Sequence, residues 1–315
     1  MTAEKLNVGD EIRVIAPSGS LLPEKEEICQ KAVEFLTGLG FQVSLSKNCR
    51  VFNARTGTGD IRSRVEDLHD AFADKKVKAV LTWSGGFHVN EILEYLDYDL
   101  IRKNPKIICG FSDITALLNA VYAKTGLVTY HGPHFYNFGR EGHMPPYTLD
   151  SFRKCVMSDS PYQITPSKEA KQYIVLQEGA CEGTIVGGNL CTLNLLQGTE
   201  FMPDLAEKIL FLEDDNIMGE FFIHEFERNL QSLLQVKGAK RLKGLVLGRF
   251  EESCRMTEET VQRIVSTKEC LRGIPVLFNV DFGHVLPDPI ATFPIGGKVR
   301  IMAESNGAAV EILEH

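Results

Sequence analysis

A chain of 315 residues that is 43% hydrophobic can bury one large core or two moderate ones, and at this length two domains are the natural expectation. Lysine and arginine number 34 against 42 aspartates and glutamates, a formal charge of −8, and without a basic cluster to neutralise phosphates no nucleic-acid partner is expected. The opening MTAEKLNVGDEIRV lacks the positive and apolar regions of a secretion signal, and no run of about 18 apolar residues occurs, so the expectation is a soluble, cytoplasmic chain with no membrane partner.

Through the first half, short β-rich apolar runs alternate with amphipathic segments, the pattern of βαβ units around a parallel sheet. Residues 11–16 (EIRVIA) predict a strand, 23–39 a helix with Ile28, Ala32, Phe35, Leu36 and Leu39 on one face, and 41–45 the next strand. Gly38 and Gly40 close that helix. Asp60 caps a second helix carrying Val65, Leu68 and Phe72. A buried strand at 77–82, a short helix at 89–95, a strand at 106–109, a helix at 113–125 and a strand at 127–130 follow. After about residue 140 the texture turns polar and proline-bearing (GHMPPYTLD, SDSPYQITPSKEAKQ), which suits a connection. The expected division is an α/β domain at 1–155, a linker at 156–175 and a β-rich domain at 176–315. In the last, Gly-rich strand-like pieces (GTIVGG, KILFLED, KGLVLGRF, PVLFNVDFGH, GGKVRI, AAVEIL) are interrupted by helices around 220–236 and 257–268. The fold class is α/β, a parallel sheet followed by a mixed, mostly β domain.

The stretch IICGFSDITAL sets Ser112 between a buried strand and a helical pattern, where a nucleophile elbow would hold its Oγ out of the sheet beside helix N-terminal N–H groups. Ile114 stands where the usual G-x-S-x-G elbow has its second glycine, and Ser112 or Asp113 could equally cap the helix. The preceding strand runs into WSGGFH. Gly85 and Gly86 there can aim backbone N–H groups at one point as an oxyanion nest, or form an ordinary turn. A serine nucleophile needs a base, and the base an orienting acid. His131 and His134 in TYHGPHF and His284 in NVDFGHVLP follow strand ends. Glu213, Asp214 and Asp215 follow the strand KILFLED, and the residues alone choose neither among the acids nor between His131 and His284. The eight cysteines, Cys29, Cys49, Cys109, Cys155, Cys181, Cys191, Cys254 and Cys270, form no C-x-x-C pair and read as reduced structural thiols.

With these residues in place the chain resembles the serine peptidases of the LD-carboxypeptidase and microcin C immunity protein family. The similar segments are SGGFHVNEIL, GFSDITALLNAVYAKTGLVTYHGP, EGTIVGGNLCTLNLLQGT, ILFLEDD, NVDFGHVLP and PIGGKVRI, in order over nearly the whole chain. The resemblance implies a Rossmann-like N-terminal domain bearing the serine and a smaller β-rich, barrel-like C-terminal domain bearing the acid and the histidine. It implies a Ser112, Glu213 and His284 triad, with the backbone N–H groups of Asp113 and Gly86 as oxyanion hole, and an elbow of the form GxSDxT that admits Ile114. Gly85, His131 and Arg249 are candidate substrate contacts, with Arg140 a second candidate for the substrate carboxylate. No metal or organic cofactor is called for, and a homodimer is expected. The expected substrate is a small peptide, an L,D-linked cell-wall peptide losing a terminal D-amino acid, or alternatively a peptidyl or aminoacyl nucleotide. Trp83 is the only tryptophan, which weighs against nucleobase stacking. Two other readings are a catalytically silent ligand-binding relative, and a metal-dependent hydrolase using His131, His134 and Asp113.

Overall fold

The alternation in the first half produces the parallel sheet it predicts. A computed structural model describes residues 1–167, 172–285 and 287–315. Strands β1 (Glu11–Ile15), β2 (Gln42–Leu45), β3 (Val77–Thr82), β4 (Ile107–Gly110) and β5 (Thr129–His131) pair in parallel in the order β5-β4-β3-β1-β2. β3 and β4 are apolar and almost wholly buried, as strands covered on both faces must be. Helix Glu26–Gly38 connects β1 to β2 and helix Ile61–Ala73 connects β2 to β3, the second capped by the Asp60 carboxylate accepting from Ser63 N at 2.9 Å. The segment expected as a short helix at 89–95 is a 3₁₀ helix, Val89–Tyr95.

Among the described residues the second sheet has eight strands. β6 (Tyr162–Ile164), β7 (Ile174–Gln177), β8 (Gly179–Asn189), β9 (Lys208–Glu213), β10 (Gly244–Gly248), β11 (Val276–Val280), β13 (Lys298–Glu304) and β14 (Gly307–Glu314) lie in the order β6-β14-β13-β8-β9-β10-β11-β7. β8 to β11 are mutually parallel, and the outer pairings are antiparallel. Helices Phe222–Leu233 and Glu258–Ser266 supply the crossovers that parallel neighbours require.

Two features depart from the linear division. The stretch read as a linker carries β6, which pairs with β14, and the start of β7; its residues 168–171 lie outside the described ones. The short strand β12 (Phe293–Ile295) leaves the second half and pairs antiparallel with β5 at the edge of the first sheet. Three residues are too few to show a period of two. Pro294 is tolerated there because an edge strand has a side that needs no N–H donor.

Between the sheets runs the helix Thr115–Thr125, buried continuously from Thr115 to Val121. A helix covered on every side needs no polar face, which explains the run TALLNAV. Its one buried amide, Asn119, donates to Gly187 O at 2.7 Å and accepts from Gly187 N at 3.2 Å. Asn189 N donates to Thr115 Oγ1 at 3.0 Å. The helix that follows Ser112 is thus locked to the strand that leads to Asn189. No helix among the described residues is long and apolar enough to cross a membrane.

Candidate active site

Ser112 follows β4 by two residues and adopts φ +59, a left-handed conformation that costs a non-glycine residue about 1–2 kcal/mol. A 3₁₀ turn, Ser112–Ile114, leads straight into the buried helix. The surroundings are built for close approach: a Cβ added at Gly85 would lie 2.9 Å from both Cβ and Oγ of Ser112, and one at Gly86, where φ is +152, 2.5 Å from Ser18 Oγ. Gly85 therefore lets the loop after β3 press against Ser112, and Gly86 lets it press against the segment carrying Ser18. The Asp113 side chain fixes that loop. It is buried, and Oδ2 accepts from Ser18 Oγ at 2.5 Å and from the N–H groups of His88 and Val89, both at 2.9 Å. One carboxylate thereby ties elbow, loop and the N-terminus of the 3₁₀ helix Val89–Tyr95 together.

Glu213 ends β9 in the second sheet and is wholly buried; its Oε2 is 2.5 Å from His284 Nδ1. Burial pushes the Glu213 carboxyl up, but the His284 charge and hydrogen bond, with the His131 ring nearby, outweigh it and bring the group to about 2. Burial likewise pushes His284 down, and the Glu213 charge and hydrogen bond, helped by Asp215 and Asp214, raise it to about 9. Both shifts describe one pair in which the charged forms hold each other. Phe111, next to Ser112, lies 5.2 Å from the His284 ring and stacks on His134 at 4.4 Å. Ser112 and His284 line one cleft of about 700 Å³. No hydrogen bond joins them among the described residues, a contact that in unliganded hydrolases commonly tightens only with substrate.

The cleft has two chemically distinct walls. Asp214, Asp215 and Glu225 line one, and Tyr136, Arg140 and His143 another, while Phe87, Leu195, Ile217 and Met218 give an apolar, exposed rim. Asp214 is raised well above its ordinary value, by burial first and then by the charges of Glu213 and Asp215. Asn189 Nδ2 donates to Asp214 at 3.0 Å and to Asp215 at 3.2 Å, so it orders the acidic wall. The readings from sequence missed Asn189, although the Gly-Gly-Asn at the end of a strand mirrors the Gly-Gly after β3. They also missed Ser18, whose role depends on a partner 95 positions away.

Several candidates stand elsewhere than expected. Arg249 is committed to Asp281, Nε to Oδ1 at 3.1 Å, and to the carbonyl of Pro289, and it is not among the residues lining the cleft. It is a structural cation, and its proposed hold on a substrate carboxylate is withdrawn. Arg140 does line the cleft, its Nη1 donating to Tyr136 OH at 3.0 Å. His131 is 2% exposed and lies behind Glu213, with Nε2 3.9 Å from Oε1, so it lines no substrate surface. His134 Nδ1 meets Thr82 Oγ1 at 2.9 Å. With Asp113 engaged at the loop, the His131, His134 and Asp113 set does not converge, and no cluster of three or more ligating side chains occurs among the described residues. Trp83 is buried against Phe135 and Tyr136, out of the cleft.

Residues 12–132 match the LD-carboxypeptidase N-terminal domain and residues 182–301 the LD-carboxypeptidase C-terminal domain. The chain is 44% identical to the Bacillus subtilis (strain 168) protein named "Putative carboxypeptidase YocD", over 100% of both chains. It is 32% identical to the "Probable murein peptide carboxypeptidase" of the same organism, over 97% of this chain and 93% of that one. Its fold superposes on the crystal structure of an MccF-like protein from Bacillus anthracis str. Ames with a TM-score of 0.96, 45% identity and 100% of both chains covered. A strained serine elbow on a parallel sheet, faced by an acid and a histidine from a second sheet, and similarity over the whole length agree: the chain belongs to the LD-carboxypeptidase family of peptidases.

Proposed function

We propose that the chain is a serine-type amide hydrolase with Ser112 as nucleophile, His284 as base and Glu213 as orienting acid. Its favoured substrate is an L,D-linked murein peptide from which it releases a terminal D-amino acid. The observation that carries this reading is the Ser112 elbow sharing one cleft with the short His284–Glu213 pair. His284 Nε2 takes the Ser112 proton as Oγ attacks the carbonyl carbon, and the carbonyl oxygen becomes an oxyanion facing the N–H groups of Asp113 and Gly86. His284 then gives the proton to the departing amine as the C–N bond breaks. Water, deprotonated by the same imidazole, adds to the acyl-enzyme, and the proton returns to Ser112 as the acid leaves. Glu213 stabilises the imidazolium throughout, and Arg140 is the cleft cation available to a terminal carboxylate.

A D centre next to a free carboxylate places its methyl on the opposite side from an L centre, and one misplaced methyl in an apolar pocket is worth roughly 10- to 200-fold. A tetrapeptide ending in D-Ala should therefore be cleaved at least about tenfold faster in kcat/KM than its L-Ala twin, and Ser112→Ala should abolish cleavage without changing the fold. Equal rates on the two peptides rule out the LD-carboxypeptidase reading. The MccF-like neighbour and the apolar rim of Phe87, Ile217 and Met218 favour a second reading, hydrolysis of an aminoacyl nucleotide. Cleavage of an L-aminoacyl sulfamoyl nucleotide with both peptides inert selects it, and inertness toward all three supports a silent ligand-binding relative.

A further inference from the structure

Behind the His284–Glu213 pair lies a set of buried polar atoms that the triad does not use. Glu213 has two carboxylate oxygens. Oε2 is taken by His284 Nδ1 at 2.5 Å, whereas Oε1 is fully buried without a hydrogen-bond partner. Nε2 of His131, equally buried and unpartnered, faces Oε1 at 3.9 Å. A buried carboxylate oxygen left unpaired is costly, and the remaining gap is only about 1 Å more than a hydrogen bond.

The His131 ring has little freedom to serve any other atom. It stacks on Phe293 at 4.5 Å with 13° between the planes, and a Cβ on Gly188 would come within 3.2 Å of its Cδ2. In register, His131 stands opposite Gly110, the last residue of the strand that leads to Ser112, and opposite Phe293 on β12. Glu213 belongs to the other sheet. A bond from His131 to Oε1 would therefore cross between the sheets at the level of the reacting serine, and would fix the carboxylate from the side away from the imidazole.

We propose that His131 is a positioning residue that donates from Nε2 to Glu213 Oε1, so that the first sheet holds the acid of the second in line with His284. This rests on the Ser112, Glu213 and His284 reading given above. His131 touches no substrate surface, so its effect falls on the rate of serine attack and not on substrate binding.

The test uses the whole chain and a fluorophosphonate that labels an activated serine, with the labelling rate followed by intact mass. Labelling of the wild type that disappears in Ser112→Ala establishes Ser112 as the activated nucleophile, and absence of wild-type labelling fails that reading, with the His131 proposal falling alongside it. Given labelling, His131→Phe keeps the ring stack but removes the donor, and should slow it about tenfold to hundredfold, the worth of a hydrogen bond to a charged group. His131→Gln, whose amide reaches about as far as Nε2, should recover to within about threefold of wild type if the donor is what matters. A phenylalanine variant within about twofold of wild type, or a glutamine variant no faster than phenylalanine, overturns the proposal. Should neither variant fold, a crystal structure of the unmodified chain decides: Nε2 and Oε1 within about 3.5 Å supports the bond, and any larger separation refutes it.

Discussion

At Ser112 backbone comfort and side-chain exposure conflict, and exposure prevails: the residue holds a left-handed φ at the end of its strand, directly before a buried helix that fixes the chain behind it. The chemistry then turns on the protonation of His284. A base must be neutral, and a histidine held at about 9 by Glu213 is mostly cationic at neutral pH. We expect kcat/KM to climb through the alkaline range with an inflection near 9, well above the ordinary 6.5. In Glu213→Gln the charge that raises His284 is lost while burial still lowers it, so the inflection should fall to 6.5 or below. A wild-type inflection at or under 6.5, with chemistry shown to limit the rate, contradicts the coupling. The same pair contributes to stability. For His284, raised, the contribution is whole below 6.5 and lost as pH rises through about 9; for Glu213, lowered, it is whole above 4.5 and lost as pH falls through about 2. The pair therefore supports the fold fully between pH 4.5 and 6.5, below the range in which it is expected to work best.

Elements matter here chiefly through their ends. The loop after β3 and the turn after β4 would be independent were it not for Asp113, whose carboxylate satisfies two backbone N–H groups and Ser18. Asp113→Ala leaves the buried Val89 N–H unpaired, at about 1–3 kcal/mol, and His88 N–H with only its long contact to Ser18 Oγ, 3.4 Å. The loop carrying Gly85 and Gly86 should loosen, and with it the oxyanion contact. Hydrogen exchange should quicken over residues 85–91 more than in the Thr115–Thr125 helix, and turnover should fall at least about tenfold, the cost of an impaired oxyanion donor being up to about 4 kcal/mol. Asp113→Asn retains an acceptor oxygen and should recover part of both. Unchanged exchange over 85–91 in the alanine variant would show that the loop holds itself.

At the scale of the whole molecule, the proposed site is one that neither sheet possesses alone. Ser112 sits on the first sheet, Glu213 and His284 on or just after strands of the second, so residues 1–155 expressed alone should hydrolyse nothing that the full chain hydrolyses. That fragment also lacks β12, leaving the edge of β5 uncovered, and unpaired edges associate. Size exclusion should find it aggregated, or in larger assemblies than the full chain forms at the same concentration. A monodisperse, catalytically active fragment would defeat the argument for a shared site.

Local chemistry determined much of this from the sequence. The apolar runs of β1, β3 and β4, the Asp60 cap and the position of Ser112 at a strand end follow from hydrophobic period and capping preferences that act within a few residues. The resemblance added the triad that residue types left open among three acids and two histidines. Tertiary structure decided what depends on partners far apart in the chain. It withdrew Arg249 into an ion pair with Asp281, set His131 behind Glu213 in place of the cleft wall, and sent the three residues of β12 back to the first sheet. The physical reason is the same in each case: a charge or a short strand is committed by whichever partner packing brings within about 3–4 Å, and sequence spacing carries no record of that distance.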